Sequence, residues 1–102
     1  KHFKRCGYPQ LNSDGHHSFV NDREFVVDTY PDKRRHAKIY KVNIDTDKVE
    51  LVADCRSYKK FASPTLYKHW ACDLHPRCSR DGSLLSFDSV FVGERSLCVM
   101  KL

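Results

Sequence analysis

The stretch that decides the fold is DLHPRCSRDGSLLSFDS, which occupies residues 73–89. Within it, Asp81-Gly82 is a turn signal, because glycine tolerates the positive φ that a short hairpin requires. The apolar run at residues 84–87 has the length of a buried strand. Pro76 has no amide hydrogen to donate and therefore suits the start of a strand. The stretch predicts a strand, a tight turn and a second strand.

A weaker copy of this stretch lies at residues 15–29. His16 in the early copy corresponds to His75, and Asp28 corresponds to Asp88. Repetition of a few-strand unit indicates a propeller or a solenoid. The period is longer than the ~40–50 residues of a usual propeller blade, so one blade would carry a long loop.

We therefore predict an all-β protein of antiparallel four-stranded β-propeller blades, about two blades of a larger propeller. The predicted units are a lead-in from a preceding blade, a first blade, an inter-blade insertion loop and a second, incomplete blade, at residues 1–14, 15–54, 55–72 and 73–102. The sequence ends where the hairpin to a fourth strand would follow, so we expect the remaining blades of a parent propeller to complete the ring.

The predicted second blade leaves apolar surface without a partner. We expect Leu84, Phe87, Val90 and Val99 on a blade face that meets water, and an open strand edge at residues 96–102. The chain alone is therefore expected to be unstable or to self-associate.

Composition excludes several classes of protein. The chain has 102 residues, of which 40% are hydrophobic and 30% charged, which is ordinary for a folded domain. No apolar stretch approaches the ~18 residues of a membrane span. No signal peptide is visible in the sequence. Because the chain does not begin with Met, the sequence leaves open whether a further segment precedes it.

The chain has five cysteines, an odd number, and no C-x-x-C pair. This pattern disfavours both a disulfide framework and a structural zinc site. We expect reduced, mostly buried cysteines; a Cys72–Cys78 bridge stays open for a secreted protein. The net charge is +5. The basic clusters, at residues 1–5, 33–35 and 59–60, are scattered rather than gathered on one face. A solvated surface is therefore favoured, and no nucleic-acid partner is expected.

The His-Pro and Asp-Gly elements of residues 73–89, followed by Phe-Asp-Ser, resemble the blade repeat of TolB-like β-propellers. The similarity is to the oligogalacturonate-lyase type and its uncharacterised bacterial relatives. In those relatives an Asp-Thr-Tyr-Pro-Asp segment, here residues 28–32, follows one blade's second strand. An Asp-Leu-His-Pro-Arg segment, here residues 73–77, opens the next blade. The resemblance covers most of residues 15–102 and implies the C-terminal blades of a bacterial protein of the cytoplasm or periplasm.

The resemblance also implies chemistry. Lyases of this type hold a manganese-type divalent metal on blade-opening histidines and cleave short pectic chains by β-elimination. His16 and His75 match ligand positions of that site. The family pattern has a second histidine where Arg77 stands, and a glutamine roughly where Cys72 stands. The family's catalytic base lies upstream, so no catalytic residue is assigned. The alternative for each histidine is a turn cap that hydrogen-bonds to backbone.

Two further residues are candidates for binding an acidic oligosaccharide. The Arg77 guanidinium is suited to bidentate binding of a uronate carboxylate, and the alternative is an ion pair with a nearby aspartate, Asp73, Asp81 or Asp88. The Trp70 ring could stack on a sugar, and the alternative is packing within the inter-blade loop.

The predicted function is a carbohydrate-binding or carbohydrate-active propeller, a metal-assisted lyase relative if it is an enzyme. The alternative is a non-catalytic scaffold for a protein or peptide partner, since fold alone does not decide function. The replacement of two of the family's expected metal ligands supports this alternative.

Overall fold

The computed structural model describes residues 2–63 and 71–102, and within these ranges the protein is built from two antiparallel β-sheets. The predicted all-β class is confirmed; apart from the strands, the described residues contain one turn of 3-10 helix, Lys59–Phe61. Trp70 lies outside the described residues. None of the helical structure in the described ranges is long and apolar enough to cross a bilayer.

Sheet 1 has four strands in sequence order: β1 (His17–Phe19), β2 (Glu24–Asp28), β3 (His36–Asn43) and β4 (Val49–Arg56). Asparagine side chains shape two of its turns. The Asn21 side-chain oxygen accepts hydrogen bonds from the amides of Arg23 and Glu24. The Asn43 oxygen accepts from the amides of Asp45 and Thr46. Such local acceptors stabilise a turn that the backbone alone leaves unsatisfied.

Sheet 2 has three strands: β5 (Arg77–Cys78), β6 (Leu84–Ser89) and β7 (Ser96–Lys101). The turn between β5 and β6 is organised by Asp81, whose carboxylate accepts hydrogen bonds from the Ser79 hydroxyl and from the Ser83 amide and hydroxyl. These bonds, led by the Ser83 hydroxyl, lower the pKa of Asp81 to about 2. The carboxylate therefore stays ionised at any physiological pH and holds the turn.

The two sheets pack against each other and share one hydrophobic core. Sheet 1 contributes Val26, Ala37, Ile39 and Cys55. Sheet 2 contributes Leu85 and Phe87, and the segment just before β5 contributes Leu74. Side chains in strands alternate between faces, so each sheet turns only one face inward. Each fully buried aliphatic or aromatic side chain contributes about 1.5–3 kcal/mol relative to exposure. Burial between the sheets is thus what holds them together.

The prediction that four apolar residues of the second blade meet water is right for two of them. Leu84 and Val99 are exposed, but Phe87 and Val90 are buried, which corrects the prediction for these two residues. The cause is the two-residue period of a strand: Leu84 and Phe87 stand three positions apart on β6, so they point to opposite faces. Phe87 faces sheet 1 and enters the shared core.

The cysteines are free thiols, as expected, but they are less buried than expected. Cys55 is buried, while Cys6, Cys72, Cys78 and Cys98 are only partly covered. Desolvation raises the pKa of Cys55 and of Cys72 above the usual value, which disfavours the reactive thiolate.

Candidate functional site

The polar centre of the molecule is Asp28, which is the last residue of β2 and only 3% exposed. Its Oδ1 accepts a hydrogen bond from the His16 amide at 2.7 Å. Its Oδ2 lies 3.0 Å from His16 Nδ1 and accepts from the His75 amide at 2.9 Å. Asp28 thus joins the start of sheet 1 to the start of sheet 2.

His16 and His75 meet at this junction although 59 residues separate them in sequence. Their rings are stacked, with centroids 4.1 Å apart and planes inclined by 17°. His75 has a φ of 49°, an uncommon conformation for a residue with a side chain, and Pro76 behind it is buried. Backbone strain of this kind persists only where surrounding contacts hold it, and here the Asp28 carboxylate does so.

The electrostatics of the junction favour a positive charge on His16. The hydrogen bond to Asp28 is the main cause that raises the pKa of His16; the charges of Asp28, Asp73 and Asp14 add to it and partial burial opposes it. Asp14 and Asp73 each stand two positions before one of the paired histidines. A carboxylate on one ring nitrogen also fixes the orientation of the ring.

Tyr30 closes one side of the junction. Its ring meets His16 edge to face, with centroids 6.4 Å apart. The charge of Asp14 is the largest cause that raises the pKa of Tyr30, so the phenol stays protonated and available as a hydrogen-bond donor.

Arg77 follows His75 by two residues and is exposed on the outer face of sheet 2. Its guanidinium nitrogen is 3.3 Å from Asp88 Oδ1, and both side chains are about half exposed. Beside the pair lies a groove of about 420 Å³ that is lined by His75, Asp88 and Arg95 among others. Trp70, the other residue predicted to bind sugar, is not among the described residues.

The rings of His16 and His75 are stacked rather than aimed at a common point. A metal ligand directs its lone pair in the plane of its ring, and two stacked, nearly parallel rings do not aim at one point. In the described ranges, no group of three or more His, Cys, Asp or Glu side chains is placed to hold a metal ion. A shared divalent metal would require one ring to turn. The manganese site thus stays a prediction, and no step is routed through it.

Comparison with protein-family models, curated proteins and solved structures finds no match for this chain. The fold itself defines the class: an all-β protein of two packed antiparallel sheets.

The sequence predicted part of this site. The equivalence of His16 and His75 came from the repeat, and the structure adds that Asp28 accepts hydrogen bonds from the amides of both. The roles of Asp14 and Asp73 were missed. The signal was present, since both histidines belong to an Asp-x-His triplet.

Proposed function

We propose that this chain is part of a propeller-type repeat protein that binds acidic oligosaccharides on the outer face of sheet 2, beside the junction of its two sheets. The observation that carries the proposal is the exposed Arg77–Asp88 pair, which lies beside the groove next to His75. The resemblance to oligogalacturonate-lyase-type propellers supplies the class of ligand.

The chemistry of the pair suits exchange with a ligand. An exposed ion pair contributes only about 0–1 kcal/mol, so little is lost when Asp88 gives up the Arg77 guanidinium. A uronate carboxylate would then bind the guanidinium in the bidentate geometry that arginine favours. The His75 ring, which stacks on His16, lines the groove and supplies a polar, planar wall.

The test is a titration of galacturonate oligomers, with neutral galactose oligomers of equal length as the control ligand. Arg77→Gln should weaken binding of the acidic oligomer roughly tenfold, because a charge-assisted hydrogen bond is lost. Arg80→Gln is the matched control: it removes an exposed arginine from the adjacent turn and should leave affinity unchanged. A parallel series with Mn²⁺, monitored by the ultraviolet absorbance of unsaturated products, tests the lyase version.

The scaffold alternative is favoured by a different observation. Leu97 and Val99 on the outer face of sheet 2 are 69% and 63% exposed, which offers apolar surface to a protein partner. Absence of binding to acidic and neutral oligomers alike, with and without Mn²⁺, would contradict the carbohydrate proposal and leave this alternative.

A further inference from the structure

A second cavity lies on the other side of sheet 1, away from sheet 2. It has a volume of about 590 Å³ and lies between an N-terminal segment, residues 4–13, and the outer face of the sheet. The segment is attached at two places: the Lys4 ammonium donates to the Ile44 carbonyl, and the Gly7 amide donates to Asp47 Oδ1 at 2.7 Å. Ligand sites in proteins have volumes of about 300–1,000 Å³, so this cavity is large enough for a small organic molecule.

One wall of the cavity is aromatic. The rings of His17 and Phe25 are 6.4 Å apart and those of Phe19 and Phe25 are 5.7 Å apart, in edge or tilted contacts. Phe19 is 55% exposed, so part of its ring surface has no protein partner. Tyr40 lines the same cavity. Aromatic side chains in this geometry accept a further ring, edge to face or offset-stacked, with a gain of about 0.5–1.5 kcal/mol beyond area burial.

The lining carboxylates are already engaged within the protein. Asp28 accepts from His16 and His75. Asp32 Oδ1 accepts from the amides of Arg34 and His36, both at 2.9 Å. These acids therefore offer little to a cationic ligand.

The basic side chains that line the cavity differ in this respect. Lys4 donates to a carbonyl, and the His36 ring nitrogen lies 2.8 Å from Asp54. Lys38 also lines the cavity, and its ammonium group makes no hydrogen bond or ion pair with any described residue. The pKa of Asp32 is lowered, and the hydrogen bond from the His36 amide is the largest cause. The Lys38 charge adds to this lowering, but it acts only at longer range. The charge still available in the cavity is positive.

We propose that this cavity binds a small aromatic anion, with its ring against Phe19 and Phe25 and its carboxylate on Lys38. The inference does not depend on the proposed oligosaccharide site, because its binding residues, Lys38, Phe19 and Phe25, are not residues of that site; the cavity shares only Asp28 and Tyr30 with the histidine junction. The adjacent histidines illustrate the separation: His16 turns to Asp28, while His17 turns to Phe19 and Phe25.

The test uses 2-naphthoate and its uncharged counterpart 2-naphthamide, titrated by calorimetry into the whole chain. The parent should bind the carboxylate roughly tenfold more tightly than the amide, because only the carboxylate forms a charge-assisted hydrogen bond. Lys38→Gln should abolish this preference. Phe19→Ala should weaken both ligands to a similar degree, since it removes apolar and ring contact.

Matched controls lie on β7 and in the β6–β7 loop, outside the residues that line the cavity. Lys101→Gln and Phe91→Ala remove an exposed lysine and an exposed phenylalanine far from the cavity, and should leave both affinities unchanged. The ratio of the two affinities is measured within one protein sample, so partial unfolding of a variant does not change it. Equal affinity of the parent for both ligands, no binding at millimolar ligand, or a Lys101→Gln effect as large as that of Lys38→Gln would overturn the proposal.

Discussion

Asp28 shows how one residue couples the two sheets. It is buried, and its two oxygens satisfy the amides of His16 and His75 and the ring of His16. Burial of a carboxylate without partners would cost several kcal/mol, so the site is stable only while these donors are in place. The same bonds fix the ring of His16 against that of His75.

We expect the protein to lose stability as pH rises through the raised pKa of His16. The hydrogen bond to Asp28 raises this pKa above the ordinary ~6.5 of an unfolded chain. The protonated form is therefore favoured by folding: its contribution is fully present below about pH 6.5 and is lost above the raised value. Urea unfolding between about pH 6 and about pH 8 should show the free energy of unfolding falling over this window.

Asp28→Asn tests the cause of this slope. The amide keeps the shape but faces the His75 N–H with a donor in place of an acceptor, so we expect a loss of about 2–3 kcal/mol near pH 6 and a flatter pH dependence. Asp45→Asn is the control, because the only partner of the Asp45 carboxylate among the described residues is Arg23, in an exposed pair at 3.1 Å. It should cost less than ~1 kcal/mol and keep the slope. An unchanged slope in Asp28→Asn would refute the assignment to His16.

At the scale of the elements, the hairpin of sheet 2 packs against the turn of sheet 1. Gly82, with φ of 75°, lies in the β5–β6 turn, and a Cβ added there would stand 2.6 Å from the carbonyl oxygen of Val20. Beside it, β1 and β5 are joined by a hydrogen bond from the Cys78 amide to the Ser18 hydroxyl at 3.1 Å. The glycine is thus required both by the turn and by the close approach of the other sheet.

Gly82→Ala should therefore destabilise the protein by more than the cost of a left-handed residue alone. Gly93→Ala is the matched control, because Gly93 has φ of 93° and, its two chain neighbours aside, no atom of the described residues lies within 4 Å of an added Cβ. We expect the control to cost about 1–2 kcal/mol and Gly82→Ala to cost at least about 1 kcal/mol more. Urea unfolding of the two variants measures the difference; equal losses would mean that the turns do not press together in solution.

The strands were predictable because their signals are local. The apolar run at residues 84–87 and the turn residues Asp81-Gly82 predicted the β5–β6 hairpin to within a few residues. What local pattern did not predict was which face of β6 turns inward, because Leu84, Leu85 and Phe87 are all apolar. Which face of β6 turns inward depends on packing against the other sheet, and the residues of β6 alone carry no information about that packing.

At the scale of the whole molecule, the repeat explains the outer surface of sheet 2. Asp28 pairs with Ile39 across β2 and β3, and the equivalent Asp88 pairs with Leu97 across β6 and β7. Ile39 is 0% exposed because sheet 2 covers it, whereas Leu97 is 69% exposed. The outer face of sheet 2 thus corresponds, in the repeat, to the inner face of sheet 1, which is buried between the sheets. No described element covers the outer face of sheet 2.

In the same way, the outer face of sheet 1 corresponds in the repeat to the inner face of sheet 2. Phe25, Val27, Tyr40 and Val42 occupy the positions that correspond to Leu85, Phe87, Cys98 and Met100. The N-terminal segment covers part of this face, and Val42 is fully buried there. The outer face of sheet 2 is therefore the more accessible of the two apolar faces.

We expect the chain to self-associate through this face at micromolar concentration. Each buried aliphatic side chain contributes about 1.5–3 kcal/mol, so Leu97→Gln with Val99→Gln should weaken association by at least about tenfold. Size-exclusion chromatography with light scattering, over a dilution series, gives the mass. Val92→Gln is the control, since Val92 is exposed in the β6–β7 loop outside either sheet face. A monomer that melts sharply and cooperatively, with Leu97 and Val99 intact, would show that the two sheets are self-sufficient and that the exposed face needs no partner.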